Sequence, residues 1–242
     1  MIGADRKMYP ARNTVHLPLW RHRREIVSLN EADVDPRDTR AVQDLIAAAG
    51  DARKELVVYS TSVRAGGEPL GAVGFAPIEE ILEMERPSDG LTRGDIVPTA
   101  ADETHVNEIV RLDHVCFPWL WWNTAEEMAR YVQSVDAHAW LLRPIDGNLG
   151  LDAYVAVTRS GTTGYVDRLA VAATRRSCGL GTALTIHAID HLLRSGARRI
   201  ALTTQHDNVR AQNLYSRLGF RPNGFRVTIW GHWIGQPRDR TP

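Results

Sequence analysis

The run YVDRLAVAATRRSCGLGTALTIHAIDHLLRSG, residues 165–196, changes its apolar spacing across two glycines. Its opening, YVDRLAVAA, has the aliphatic and β-branched content of a strand. Its second part sets Leu180, Leu184, Ile186, Ala188, Ile189, Leu192 and Leu193 on one face of a helix that Gly196 ends. Gly179 and Gly181 fall at the strand-to-helix turn between them, where first-turn N–H groups have no intrahelical partner and the helix dipole adds about half a positive charge. A pyrophosphate fits such a place: glycines let the backbone approach the anion, and Arg175 and Arg176 can add charge-assisted contacts. A tight turn with two solvated arginines satisfies the same residues. A dinucleotide fingerprint and a P-loop are excluded, because there is no G-x-G-x-x-G and no Lys-Ser/Thr follows.

Other function classes fall away on charge and cysteine content. The 29 basic and 29 acidic side chains cancel, so no general attraction to nucleic acid or anionic lipid is expected. Cys116 and Cys178 are far apart and in no metal-type spacing, which argues against a disulfide framework or a zinc site and fits a reducing cytoplasmic setting. No apolar run approaches the roughly 20 residues of a membrane span, and the first 25 residues lack the apolar core of a signal peptide. The expectation is a cytoplasmic protein, monomeric or homodimeric, without nucleic-acid or membrane partners.

The stretch MERPSDGLTRGD, residues 84–95, groups Pro, Ser, Gly and Asp as a linker does, and sets a boundary near residue 92. Before it, REIVSL reads as a strand. DPRDTRAVQDLIAAAG reads as a helix with Asp35 as N-cap and Gly50 as terminator, and ELVVYSTSV and LGAVGFAPI as a hairpin across RAGGEP. This β-α-β-β segment, residues 1–92, carries no recognisable chemistry. After the boundary, residues 93–242 give the order β-α-α-β-β-β-α-β-α-β, with an antiparallel meander following two helices.

Two segments taken together resemble the coenzyme A-binding core of the GNAT superfamily of N-acetyltransferases. DRLAVAATRRSCGLGTAL matches its Arg/Gln-x-x-Gly-x-Gly/Ala signature at Arg176, Gly179 and Gly181. TTQHDNVRAQNLYSRLGF matches its Asn, then helix with Tyr, then LGF pattern at Asn208 and Tyr215. The resemblance implies an α/β (α+β) fold: a mixed, mostly antiparallel central sheet, splayed at its middle, with flanking helices. It implies acetyl-CoA as cosubstrate, with no metal. The first 92 residues then read as an extension that could be a degenerate acetyltransferase-like half.

By the same resemblance the coenzyme would lie along Leu169, Ala170 and Val171, over Arg175, Arg176, Ser177, Cys178, Gly179, Leu180, Gly181 and Thr182, and against Asn208, Ala211 and Tyr215. Tyr215 would protonate the departing thiolate, and the backbone N–H of Leu169 would receive the oxyanion. An acceptor amine of reference pKa near 10.4 must lose a proton before attack. Asp167 is placed to take it. The bland readings remain: Asp167 as an ion-paired strand residue with Arg168 or Arg198, and Tyr215 as a core aromatic. Strand alternation puts Tyr165, Asp167 and Leu169 on one face. Trp119, Trp121 and Trp122, between the two early helices, can wall the acceptor site with Tyr165, or simply pack. His206 is a weaker rival base, His187 and His191 lack a third metal ligand, and Cys178 is a spectator. Direct acetyl transfer to the primary amine of a small molecule is the expectation. Transfer to a protein or peptide amine, or a non-catalytic acyl-CoA sensor, are the alternatives.

Overall fold

The computed structural model describes residues 17–62, 68–88, 96–144 and 150–235. In the first half, β1 (Leu19–Trp20) and β2 (Arg23–Asn30) form a tight hairpin; α1 (Thr39–Asp51) then leads to β3 (Leu56–Ser62), which runs parallel to β2. The cap of α1 is Asp38, not Asp35: Asp38 accepts from the Ala41 N–H at 3.0 Å. Asp35 is instead held by the backbone and guanidinium of Arg37. Gly50 lies within the last turn, and Arg53, at φ 54°, takes the left-handed position beyond it.

The expected hairpin is replaced by a single helical turn, α2 (Glu68–Ala72), followed by β4 (Ala76–Pro87). That turn buries Leu70 with Val73 and Phe75 beneath α1, which a two-strand hairpin could not do. Residues 63–67 of the expected turn lie outside the described residues. Met84–Pro87, expected as linker, are strand: Met84 and Arg86 point inward, and the Arg86 guanidinium donates to the Leu218 carbonyl.

In the second half, β5 (Thr99–Ala100) leads to α3 (Val106–Cys116) and α4 (Ala125–Gln133). The meander β6 (Ala137–Leu142), β7 (Ala153–Ser160) and β8 (Thr163–Val171) follows. Then come α5 (Leu180–Arg194), β9 (Arg199–Gln205), α6 (Val209–Arg217) and β10 (Arg221–Trp233). Thr124 and Asn208 cap α4 and α6 through bonds to the Glu127 and Ala211 N–H groups.

Among the described residues, all ten strands join one sheet in the order β1-β2-β3-β10-β4-β9-β8-β7-β6-β5. It is mixed and mostly antiparallel, as expected. The sequence β2-α1-β3-α2-β4 repeats the element order of β8-α5-β9-α6-β10, each beginning with a parallel pair. Each half lends its last strand to the other: β4 lies between β9 and β10, and β10 between β3 and β4. Strands of both halves therefore share one sheet.

Helices cover both faces of β8. Leu184, Ala188, Ile189 and Leu192 of α5 pack on Val155, Val157, Val166 and Ile200, while Ile109 and Met128 of α3 and α4 pack on Tyr154, Ala156 and Ala170. No helix among the described residues is long and apolar enough to cross a membrane.

Candidate active site

β8 and β9 pair over only three positions, Thr163↔Arg199 to Tyr165↔Ala201. Beyond them β9 stays on β4, in unbroken register from Pro87↔Arg199 to Ile81↔Gln205, while β8 stays on β7 out to Val171↔Ala153. The sheet opens between them. Each strand is left with an edge of backbone donors and acceptors facing the gap, a template for an extended ligand.

The cause is a bulge. Val166 faces Val157 and Arg168 faces Ala156, so Asp167 is the extra residue, and such an insertion bends and twists its strand. It also overturns the expected alternation. Tyr165 and Arg168 share the face of α3 and α4, whereas Leu169 and Val171 turn to the face of α5 and α6.

Arg168 anchors the bulge. Its guanidinium makes two bonds to Asp113 of α3, at 2.7 and 3.0 Å, and lies over the Phe117 ring at 3.4 Å. Asp113 is fully buried and also accepts from the Tyr154 hydroxyl and from the backbone and side chain of Asn123. Arg168 bonds the Trp121 carbonyl as well. The ion-pair reading of Asp167 with Arg168 is thus corrected, since Arg168 belongs to Asp113. This polar cluster was missed from sequence. Its trace was there: Asp113 occupies the inward stripe of its helix, seven residues after Val106 and four after Ile109.

The gap widens into a cleft of about 840 Å³. Asp167, Leu169, Ala170, Val171, Arg175, Arg176, Ser177, Gly179, Leu180, Gly181, Thr182, Asn208, Ala211, Tyr215 and Trp121 all line it. Cys178, Trp119, Trp122, Tyr165 and His206 do not. Trp119 is almost fully buried, stacked on Trp233 and beneath the Arg23 guanidinium. Trp122 stacks on His114 at 4.3 Å and donates to the Phe117 carbonyl. The aromatic wall expected of the tryptophans and Tyr165 reduces to Trp121, because Trp119 and Trp122 pack the 117–123 segment against β2, β3 and β10 and Tyr165 does not line the cleft.

At one end, Gly179 caps α5 at φ 81°, a left-handed conformation that costs an L-residue with a side chain. Gly181 is buried, and a Cβ there would meet Leu214 Cδ1 at 3.1 Å. Arg176 Nε reaches the Val171 carbonyl at 3.3 Å, while Arg175 is engaged by Asp152 at 3.1 Å. Cys178 is exposed, outside the cleft. Gly179→Ala should strain this turn and weaken binding of the coenzyme that the sequence resemblance implies by about tenfold, the scale of a 1–2 kcal/mol backbone penalty. Calorimetric titration measures it, and unchanged affinity would contradict the assignment of this turn.

At the other end, Asp167 opens onto the cleft, accepts a bond from Thr158, and is pushed up to about 7 by surrounding protein. Arg21 lies close enough to oppose that rise. Tyr215 is buried against Phe220, and burial pushes its phenol up to about 12, so it stays protonated at neutral pH. Sequence reasoning also missed Glu79 of β4. It accepts from Trp121 Nε1 at 2.5 Å, is bonded by Gln205, and is likewise pushed up to about 7 by burial. Among the described residues no group of three or more His, Cys, Asp or Glu could hold a metal.

The model of the Acetyltransferase (GNAT) family matches residues 106–220. N-alpha-acetyltransferase 30 of Schizosaccharomyces pombe is 32% identical over 103 residues, which cover 40% of this chain and 69% of that protein. Mycothiol acetyltransferase of Nocardia farcinica is 26% identical over 203 residues, covering 76% of this chain and 66% of that protein. The structure of a GCN5-related N-acetyltransferase from Sphaerobacter thermophilus matches with a TM-score of 0.63 at 15% identity, over 90% of this chain and 76% of the other; that likeness concerns the fold.

Proposed function

The chain belongs to the GNAT acetyltransferase family, and on that premise we propose that it transfers an acetyl group from acetyl-CoA directly to the primary amine of a small molecule. The observation that carries this reading is the opening between β8 and β9, which runs from the Gly179 turn to Asp167 and Tyr215. The residues fit the coenzyme. The first-turn N–H groups of α5 face the cleft mouth as phosphate donors, Gly181 has no Cβ where α5 meets Leu214, and the free edge of β8 can pair with an extended amide-bearing arm. Acetyl-CoA supplies the activated acetyl group.

The chain's own part follows from position and charge. Asp167, as carboxylate, takes the proton that the ammonium must lose. The Leu169 N–H donates to the carbonyl oxygen as negative charge builds on it. Tyr215 donates to the departing sulfur. A thiol of ordinary pKa near 8.5 leaves readily, so Tyr215→Phe should lower turnover by about ten- to a hundredfold, below the usual range for a general acid, with coenzyme affinity little changed. An unchanged turnover would remove Tyr215 from the reaction.

The first half serves as a wall. β2 and β3 stay paired over Ile26↔Leu56 to Asn30↔Ser60, so the corresponding gap is closed there, which supports reading this half as a degenerate acetyltransferase-like unit. It contributes Arg21, Ile81 and Glu79 to the cleft and its rim. Likeness to N-alpha-acetyltransferase 30 favours a peptide amine as the second reading. Initial-rate kinetics with acetyl-CoA and amine varied together test direct transfer: intersecting lines are expected, and parallel lines would contradict it.

A further inference from the structure

The connection from β1 to β2 is two residues long: Trp20 pairs with Arg23, and Arg21 and His22 between them stand at φ 51° and 58°. A two-residue turn with both φ positive is the type I′ hairpin, whose favoured residues are Asn and Gly. Arg and His occupy it here against local preference, and such outliers persist where the surroundings over-determine them. The surroundings do so. His22 bridges Glu126 and Glu127 of α4 at 3.2 and 3.3 Å, Trp20 donates to the Leu120 carbonyl at 2.7 Å, and Arg21 Nη2 donates to Asn123.

The turn directs Arg21 to the wall of the cleft beside Asp167. Its Nε is buried and has no hydrogen-bond partner. That buried N–H is costly and closed to a ligand, and Nη2 donates to Asn123, so Nη1 is the donor left for the cleft that Arg21 lines. Neighbouring carboxylates are otherwise engaged: Asp113 is taken up by Arg168 through two bonds, and Glu127 is engaged by His22.

We propose that Arg21 is the docking point for a carboxylate on the acceptor, so that the enzyme selects amines that carry a carboxylate close to the amino group, as α-amino acids do. The proposal rests on the acetyl-transfer reading and narrows it. A guanidinium offers several N–H donors in a fixed plane, which suits the two oxygens of a carboxylate. With Asp167 next to Arg21, a short zwitterion can set its amine at the carboxylate and its carboxylate at the guanidinium.

The test uses the full-length protein and the common α-amino acids, each paired with its own α-carboxamide. For wild type, kcat/KM should favour the acid over the amide by about tenfold or more, through KM, the scale of a charge-assisted hydrogen bond. In Arg21→Gln this ratio should collapse toward one, and in Arg21→Lys it should be partly retained. A wild-type preference for amides, or an acid preference that survives Arg21→Gln, would overturn the proposal. Melting curves show whether each variant folds, and Arg21→Lys carries the test if Arg21→Gln does not. Calorimetric binding of the same pairs to the coenzyme A-loaded protein separates the two claims. Binding that favours acids and depends on Arg21, without any acetylation, would leave the docking role standing and sink acetyl transfer. Binding indifferent to the carboxylate would sink the docking role whatever the rates.

Discussion

Asp167→Asn is expected to lower turnover by about 10²- to 10³-fold, within the usual range for a positioned base, and to abolish a rise in rate centred near pH 7. The sign follows from desolvation by the protein around the cleft, onto which Asp167 itself opens. Protein around Asp167 disfavours its charged form and lifts its carboxyl to about 7. Only the carboxylate accepts a proton, so activity climbs as pH rises through that value and is lost as pH falls below it. Glu79 is lifted to about 7 for the same reason, so the profile alone does not name the group. The pair of variants does. Asp167→Asn should remove the rise and Glu79→Gln should leave it in place; the opposite result would transfer the role to Glu79.

The second large effect concerns stability. Asp113→Ala should cost about 3–5 kcal/mol, because it strands the Arg168 guanidinium, itself buried, without its counter-ion. It also strips the Tyr154 hydroxyl and two Asn123 donors of their acceptor. The combined Asp113→Leu, Arg168→Met variant should lose less than the sum of its single variants, since no unpaired charge remains. Urea midpoints measured at unchanged slope report both values. A loss below about 1 kcal/mol for Asp113→Ala would mean that the cluster does not hold the bulge.

The strands and helices from residue 99 onward were legible because their apolar spacing is regular and their caps are local: Thr124, Asn208 and Gly219 mark ends that short-range bonds enforce. The cleft was legible in so far as Arg176, Gly179, Gly181, Asn208 and Tyr215, picked out by their spacing, all line it. What escaped was non-local. The bulge at Asp167 reverses the faces of the residues after it, and no residue near it announces this; the register shift shows only when β7 is laid alongside. The insertion of β4 between β9 and β10 depends on pairs more than 110 residues apart, such as Glu85 with Ala201. Hence Glu79 and Arg21, in a half that carried no motif, came to the Asp167 end of the cleft unforeseen. The misplaced hairpin has a similar root, because RAGGEP fits a turn locally while Leu70 of α2 and Val73 and Phe75 just after it are buried together against α1.

The central claim, an acetyl-CoA cleft that delivers acetyl to an amine, is tested most directly by incubating the purified protein with acetyl-CoA and a panel of amines and peptides, following free thiol and identifying acetylated products by mass spectrometry. The account predicts thiol release that requires the amine, matched one for one by an acetylated small amine. Tight binding of acetyl-CoA with no acetylated product from any member of the panel would contradict it.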